Sequence, residues 1–236
     1  MSEALAIALY CWAAGAASFV GAGAGRLLGL RRSELAREVT HGIVAFGGGI
    51  LLAAVAFALV PEGLALLPLW MAVPLFFGGS LLFMFADERL GVRGSPRSQL
   101  MAMLLDFIPE AVSLGAVFPH NPRLGVLLAI FIGAQNLPEG FAAFREMTGA
   151  DTPASRVLRR MFFLSFLGPA AGLFGYFLLQ SSQEIVGALM LLSGGGILYL
   201  VFQDVAPQAR MKRHWAPTLG ASLGFIIGMV GERLLR

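Results

Sequence analysis

Long apolar runs alternate with short polar patches along the whole chain. The runs cover roughly residues 4–25, 41–61, 66–86, 99–118, 124–144, 161–180, 185–205 and 216–232, each close to the ~20 residues an α-helix needs to cross a bilayer. The pattern predicts an all-α polytopic membrane protein with eight transmembrane helices. No long polar linker, low-complexity run or soluble insertion interrupts it, so residues 1–236 read as a single transmembrane domain.

The second run contains "GGGILLAAVAFALVPEG" and the seventh "GGGILYLVFQDVAPQAR". Each begins with three glycines and Ile-Leu and reaches a proline near its far end, and the two cross the membrane in opposite directions. The match points to an inverted repeat of helices 1–3 against helices 6–8, a plan used by secondary transporters with the substrate site near the midplane. Glycine faces for close helix packing would leave the same trace.

Composition supports the membrane reading. The chain is 57% hydrophobic and 13% charged with a mean hydropathy of +0.77, more apolar surface than a soluble fold could bury. The opening "MSEA" carries an acid where a signal peptide carries basic residues, so the first run is kept as a helix. A lone cysteine, Cys11, says nothing about redox compartment.

The chain has 17 basic residues. The odd-numbered connections hold Arg26, Arg31, Arg32 and Arg37, then Arg89, Arg93 and Arg97, then Arg145, Arg156, Arg159 and Arg160, then Arg210, Lys212 and Arg213. The termini and even-numbered connections hold only Arg123, Arg233 and Arg236. Positive charge on alternate connections places the odd ones in the cytoplasm and both termini outside. The basic residues lack aromatic interleaving or a binding motif, so nucleic acid is not an expected partner.

Polar groups inside the runs carry the chemistry. The fifth run contains "GAQNLPEGFAAF", with Gln135 near its centre and Glu139 about 6 Å nearer the cytoplasm. The fourth contains "LLDFIPEAVSLG", whose Asp106 and Glu110 straddle its own centre. Each pair is spaced i, i+4 and so shares one helix face. Pro109 and Pro138 release the carbonyls of Leu105 and Ala134 from helix hydrogen bonds, and opened backbone at that depth is tolerated where it lines a cavity. A carboxylate at the bilayer centre costs about 2.5–3.5 kcal/mol on insertion scales. Asp106, Glu110 and Glu139 meet no basic residue at their depth, so they hold protons or a cation.

Those strings, the eight-run layout with both ends outside, and the "VAPQ" closing the seventh run resemble the ZIP (Zrt/Irt-like protein) family of divalent metal transporters, its short prokaryotic branch above all. Members typically show His-Asn-x-Pro-Glu-Gly in the fourth helix and a string like Gln-Asn-x-Pro-Glu-Gly in the fifth. The fifth run here matches in full. The fourth departs, with Asp106 for His, Phe107 for Asn and Ala111 for the last Gly, and the sixth has Gly168 where some members carry Glu. The resemblance implies a metal site from Asp106, Glu110, Gln135 and Glu139, one ion rather than two, and a location in the cell (inner) membrane. Asn136, rotated about 100° from Gln135, either caps the cluster or joins it. The resemblance further implies that helices one, four, five and six move as a unit against the other four.

An all-oxygen donor set suits Mg, Ca and Mn, with Fe and Co in between. Zinc also accepts carboxylates and stands first by family likeness, with Mn, Fe, Co and Cd following. The divalent ion is a substrate, not a resident cofactor. The expected activity is transport toward the cytoplasm and not catalysis, since a metalloprotease would need a motif such as His-Glu-x-x-His. Two other readings stay open, a non-transporting scaffold or sensor and a proton-coupled carrier of another solute. The expected partners are the lipid bilayer, the metal ion and, in one arrangement, a second copy forming a homodimer. His41, His120 and His214 read as surface residues. Glu62, Gln203 and Asp204 sit near helix ends, where they either guide cations or face water.

Overall fold

A computed structural model describes residues 2–28, 34–89, 98–212 and 214–235. Among the described residues, eight helical runs are long and apolar enough to cross a membrane. They are α1 (Glu3–Leu28), α2 (Glu34–Leu66), α3 (Leu69–Arg89), α4 (Ser98–Val117), α5 (Pro122–Gly149), α6 (Ala154–Leu179), α7 (Gln183–Ala209) and α8 (Ala216–Leu235). No strand occurs among the described residues. Arg31, Arg32, Arg93, Arg97, Arg213 and Arg236 lie outside them. The other odd-connection basic residues gather at one end of the bundle, called here the basic face. Arg123 and Arg233 lie at the opposite, terminal face.

Helices α2 and α6 begin earlier than the apolar runs predict, at Glu34 and Ala154 instead of 41 and 161. The added turns carry Glu34, Arg37 and Glu38 or Arg156, Arg159 and Arg160. Hydropathy reports only the segment matched to the hydrocarbon core, whereas the helix continues into water as long as its hydrogen bonds are made.

Prolines punctuate the long helices. In α2 the segment Val55–Leu59 is π-helical, closed by the Val60 N–H bonded to the Val55 carbonyl, and Pro61 follows. In α7 Val201–Val205 is π-helical, closed by the Ala206 N–H on the Val201 carbonyl, and Pro207 follows. Proline cannot donate to the i−4 carbonyl and crowds it; the wider i→i+5 turn just before it takes up that mismatch. Helix α6 breaks at Ser165 and Phe166, where Pro169 withdraws the bond that Ser165 would have accepted.

Glycines set the packing, and they do so twice. On α2, a Cβ at Gly49 would strike the carbonyl of Ala221 on α8; on α7, one at Gly195 would strike that of Phe76 on α3. The reverse contacts are Gly224 on Phe46 and Gly79 on Leu192. In the other half, Gly21 of α1 meets Leu137 of α5 as Gly175 of α6 meets Val112 of α4, and Gly140 meets Ser18 as Gly115 meets Gly172. Gly removes the side chain that would hold two backbones apart, so it marks the closest approach.

These contacts map onto one another under an inverted repeat, with α1, α2 and α3 corresponding to α6, α7 and α8, and α4 to α5. The register differs from the one read off the glycine triplets. Matching π-segments and prolines pair Val55 with Val201 and Pro61 with Pro207, so Gly47 corresponds to Ser193, one residue away from the triplet alignment. The helices sort into two groups, α1, α4, α5 and α6 against α2, α3, α7 and α8, which meet chiefly where α2 crosses α5 and α7 crosses α4. The main apolar core, including Leu51, Leu59, Leu114, Phe131, Met190 and Ile197, fills that crossing region.

Candidate metal centre

The polar residues singled out on α4 and α5 are buried side by side. Asp106 is 2% exposed, Glu110 1%, Gln135 0%, Asn136 1% and Glu139 9%. Contact of α4 with α5 brings the two i, i+4 faces together. The Gln135 Nε2 donates to Glu110 Oε2 at 2.5 Å. Leu137 corresponds to Val112 in the repeat, so Gln135 corresponds to Glu110; this pair is bonded to its own counterpart and lies on the pseudo-twofold axis. Asp106 and Glu139 face each other within hydrogen-bonding reach.

Asn136 points elsewhere with its nitrogen, which donates to the Ala14 carbonyl of α1 at 3.0 Å. Four acceptor oxygens remain without a hydrogen-bond partner: Asp106 Oδ1, Gln135 Oε1, Asn136 Oδ1 and Glu139 Oε2. Such orphans are rare in buried positions, since each costs about 1–3 kcal/mol. All four are oxygens, and no basic side chain among the described residues pairs with them. The polar groups are arranged as two pairs, Asp106 with Glu139 and Glu110 with the amide of Gln135. No three His, Cys, Asp or Glu among the described residues already stand around one point as a ready ligand shell. A cation would have to draw Glu110 away from Gln135 or take the amide oxygen in its place.

Phe107, next to Asp106, turns its ring away from the polar face. A Cβ at Gly15 of α1 would stand 2.9 Å from Phe107 Cζ, and one at Gly168 of α6 would stand 2.8 Å from it. The ring thus fills the space that the two glycines leave, and walls off the α1 and α6 side of the cluster with hydrocarbon. Glu139 instead faces a small cavity of about 10 Å³, lined by Val44, Gly47, Gly48, Leu51, Pro138, Ala142 and Val205, room for about one water-sized particle. A larger cavity of about 340 Å³, bounded by Thr40, His41, Val44, Ala142, Arg145, Glu146 and Gln208, opens toward the basic face. Val44 and Ala142 are walls of both.

The model of the family described as ZIP zinc transporter matches residues 97–232. The chain belongs to the ZIP zinc transporter family. Matching ZIP relatives include the zinc transporter GufA of Myxococcus xanthus, 26% identical over 56% of this chain, and the zinc transporter ZupT of Chlorobium chlorochromatii (strain CaD3), 25% identical over 88% of it. The first match spans 52% of the GufA relative's length and the second 89% of the ZupT relative's. In this ZIP chain the family-model match contains α4 and α5 with every cluster residue.

Sequence reasoning passed over three groups. Ser193, 2% exposed on α7, has an unpartnered hydroxyl; a serine inside "LMLLSGGGILYL" was the available signal. Arg145 Nη1 donates to Thr40 Oγ1 at 2.7 Å, joining α5 to α2, and its guanidinium lies 5.9 Å from the Phe141 ring centroid. His214 is no isolated surface residue, since its ring lies 3.2 Å from Glu34 and hydrogen-bonds Glu38. His41 bonds the Gln208 carbonyl at 2.6 Å and His120 that of Gln180 at 2.7 Å. None of the three histidines joins the cluster.

Proposed function

We propose that this protein is a carrier that moves a divalent metal cation, zinc first, toward the basic face through the oxygen site on α4 and α5. The observation that carries this reading is the set of four buried, unpartnered oxygens on Asp106, Gln135, Asn136 and Glu139. A divalent cation satisfies several acceptors at once, and carboxylate and amide oxygens suit Mn, Fe and Co as well as zinc. Asp106 and Glu139 form one arm of the site and Glu110 with Gln135 the other. Asn136 braces α1 through Ala14 and turns its free oxygen to the cluster's edge. The hydrocarbon wall of Phe107 limits the site to one ion. The basic face is cytoplasmic by the distribution of arginine, both termini are extracytoplasmic, and the cavities below Glu139 form the exit.

Flux in proteoliposomes tests the assignment. Glu139→Ala and Glu110→Ala insert normally, since removing a buried acid lowers the insertion cost, and both lose zinc and manganese uptake. Uptake at the wild-type rate in either variant overturns the site. The packed Phe107 ring also suits a scaffold that binds ions without moving them; a wild-type chain that binds zinc in liposomes and shows no flux would establish that second reading.

A further inference from the structure

The passage below Glu139 has a counterpart on the opposite face, and the repeat register says where. Val44, Gly47 and Leu51 of α2 correspond to Met190, Ser193 and Ile197 of α7. Pro138 and Glu139 of α5 correspond to Ser113 and Leu114 of α4. Val205 of α7 corresponds to Leu59 of α2. The first set lines a cavity, whereas Met190, Ser193, Ile197, Ser113, Leu114 and Leu59 are each no more than 2% exposed and packed shut.

Two hydroxyls sit in that otherwise apolar plug. Ser113 Oγ donates to the Pro109 carbonyl at 2.9 Å and keeps its lone pairs. Ser193 Oγ has no partner, although a satisfied or apolar residue would pack there without an unmade hydrogen bond. Gln208, at the wide end of the open side, corresponds to Glu62, half-buried near the terminal end of α2. The closed side therefore presents an acid where the open side presents an amide. By the repeat register a carboxylate lies at the outer end of the closed side and two hydroxyls lie within it, between the terminal face and the cluster.

We propose that the cation enters from the terminal face between α7 and α4, through a passage closed in this structure, with the Ser113 and Ser193 hydroxyls as its waypoint and Glu62 at its mouth. The proposal rests on the transporter reading. Borderline and hard divalent ions accept neutral oxygen donors during dehydration, and the two weakly binding hydroxyls would pass the ion on to the carboxylates. In an inverted-repeat carrier the two half-passages open alternately about one fixed site, so closure of one while the other holds cavities is the arrangement expected of a single state.

Thiol labelling tests the route without depending on transport. In proteoliposomes a charged, membrane-impermeant methanethiosulfonate is applied from the terminal face to Ser193→Cys. The wild-type chain, whose one cysteine is buried, sets the background, and Leu178→Cys, 61% exposed on α6, controls for lipid-facing sites. The expected result is modification of Ser193→Cys at least about tenfold above both, slowed by added zinc. Ser113→Cys supplies the same readout should Ser193→Cys fail to insert. Background labelling of both serine variants, while wild-type chains move zinc, places the entry elsewhere and overturns the route alone. Background labelling with no wild-type flux overturns both the route and the transporter reading.

Discussion

The crossing of α2 with α5 and the crossing of α7 with α4 are built to one plan and end up unlike. Both use a π-segment ahead of a proline, and within each group glycines hold the helices together at matched positions. Yet one crossing holds a small cavity at Glu139 and a wider one beside it, and the other is closely packed and mainly apolar. The backbone repeat is thus symmetric while the side chains are not. Glu139 corresponds to Leu114, Pro138 to Ser113, and Asp106 to Phe131, so the polar cluster leans toward the basic face. A symmetric frame allows two equivalent conformations; asymmetric side chains decide which one the resting chain adopts and where the ion rests.

The largest expected effect breaks the frame that makes the comparison possible. Gly195→Leu drives a side chain into the Phe76 backbone, and Gly49→Leu does the same at Ala221. Neither backbone can yield as a flexible side chain would, so each costs 3 kcal/mol or about that, the upper end of overpacking. Both variants should lose monodisperse protein after detergent extraction, to the same degree. Recovery of one at wild-type yield would deny that the α2–α8 and α7–α3 contacts are equivalent.

A smaller effect sharpens the asymmetry within the cluster. Asp106→His exchanges a hard carboxylate for an imidazole, which shifts preference from manganese toward zinc by ligand softness. Competition uptake should show a zinc-to-manganese ratio raised by about tenfold, roughly 1.4 kcal/mol of differential binding. An unchanged ratio would remove Asp106 from the ion's ligands and leave Glu110, Gln135 and Glu139. The counterpart change Phe131→His, far from any acid partner in the repeat register, should lower stability without moving the ratio.

The smallest effect has a telling sign. Ser193→Ala deletes an unpartnered buried hydroxyl, so thermal unfolding should be unchanged or shifted upward by about 1 kcal/mol, while zinc uptake falls several-fold. A residue kept only for packing would show no loss of uptake. Stability and flux moving in opposite directions is the outcome that separates a transport role from a structural one.

Much of this molecule was legible along the chain. The eight runs were, because a bilayer imposes a length and a polarity on every segment that crosses it, one helix at a time. The acids at Asp106, Glu110 and Glu139 were, because charge at that depth has no innocent reading. Their partners were less so. That Gln135 bonds Glu110, that Asn136 reaches Ala14, and that Phe107 fills the gap at Gly15 and Gly168 depend on distances between helices that no single helix specifies.

Register is the clearest case of packing overruling string similarity. The strings "DFIPEA" and "QNLPEG" match Pro109 with Pro138 and Glu110 with Glu139. Packing instead matches Glu110 with Gln135 and Ser113 with Pro138, about one helical turn away. String similarity records which residue types the site needs on each helix, and both helices meet those needs by the same short motif. The repeat register is set by where two backbones touch, at Gly21 with Leu137 and Gly175 with Val112. Sequence by itself fixed the helices and the chemistry they carry. Close approach at glycine, a property of pairs of helices, decided which side chains face one another, and the unlike side chains at the two crossings decided which passage stands closed.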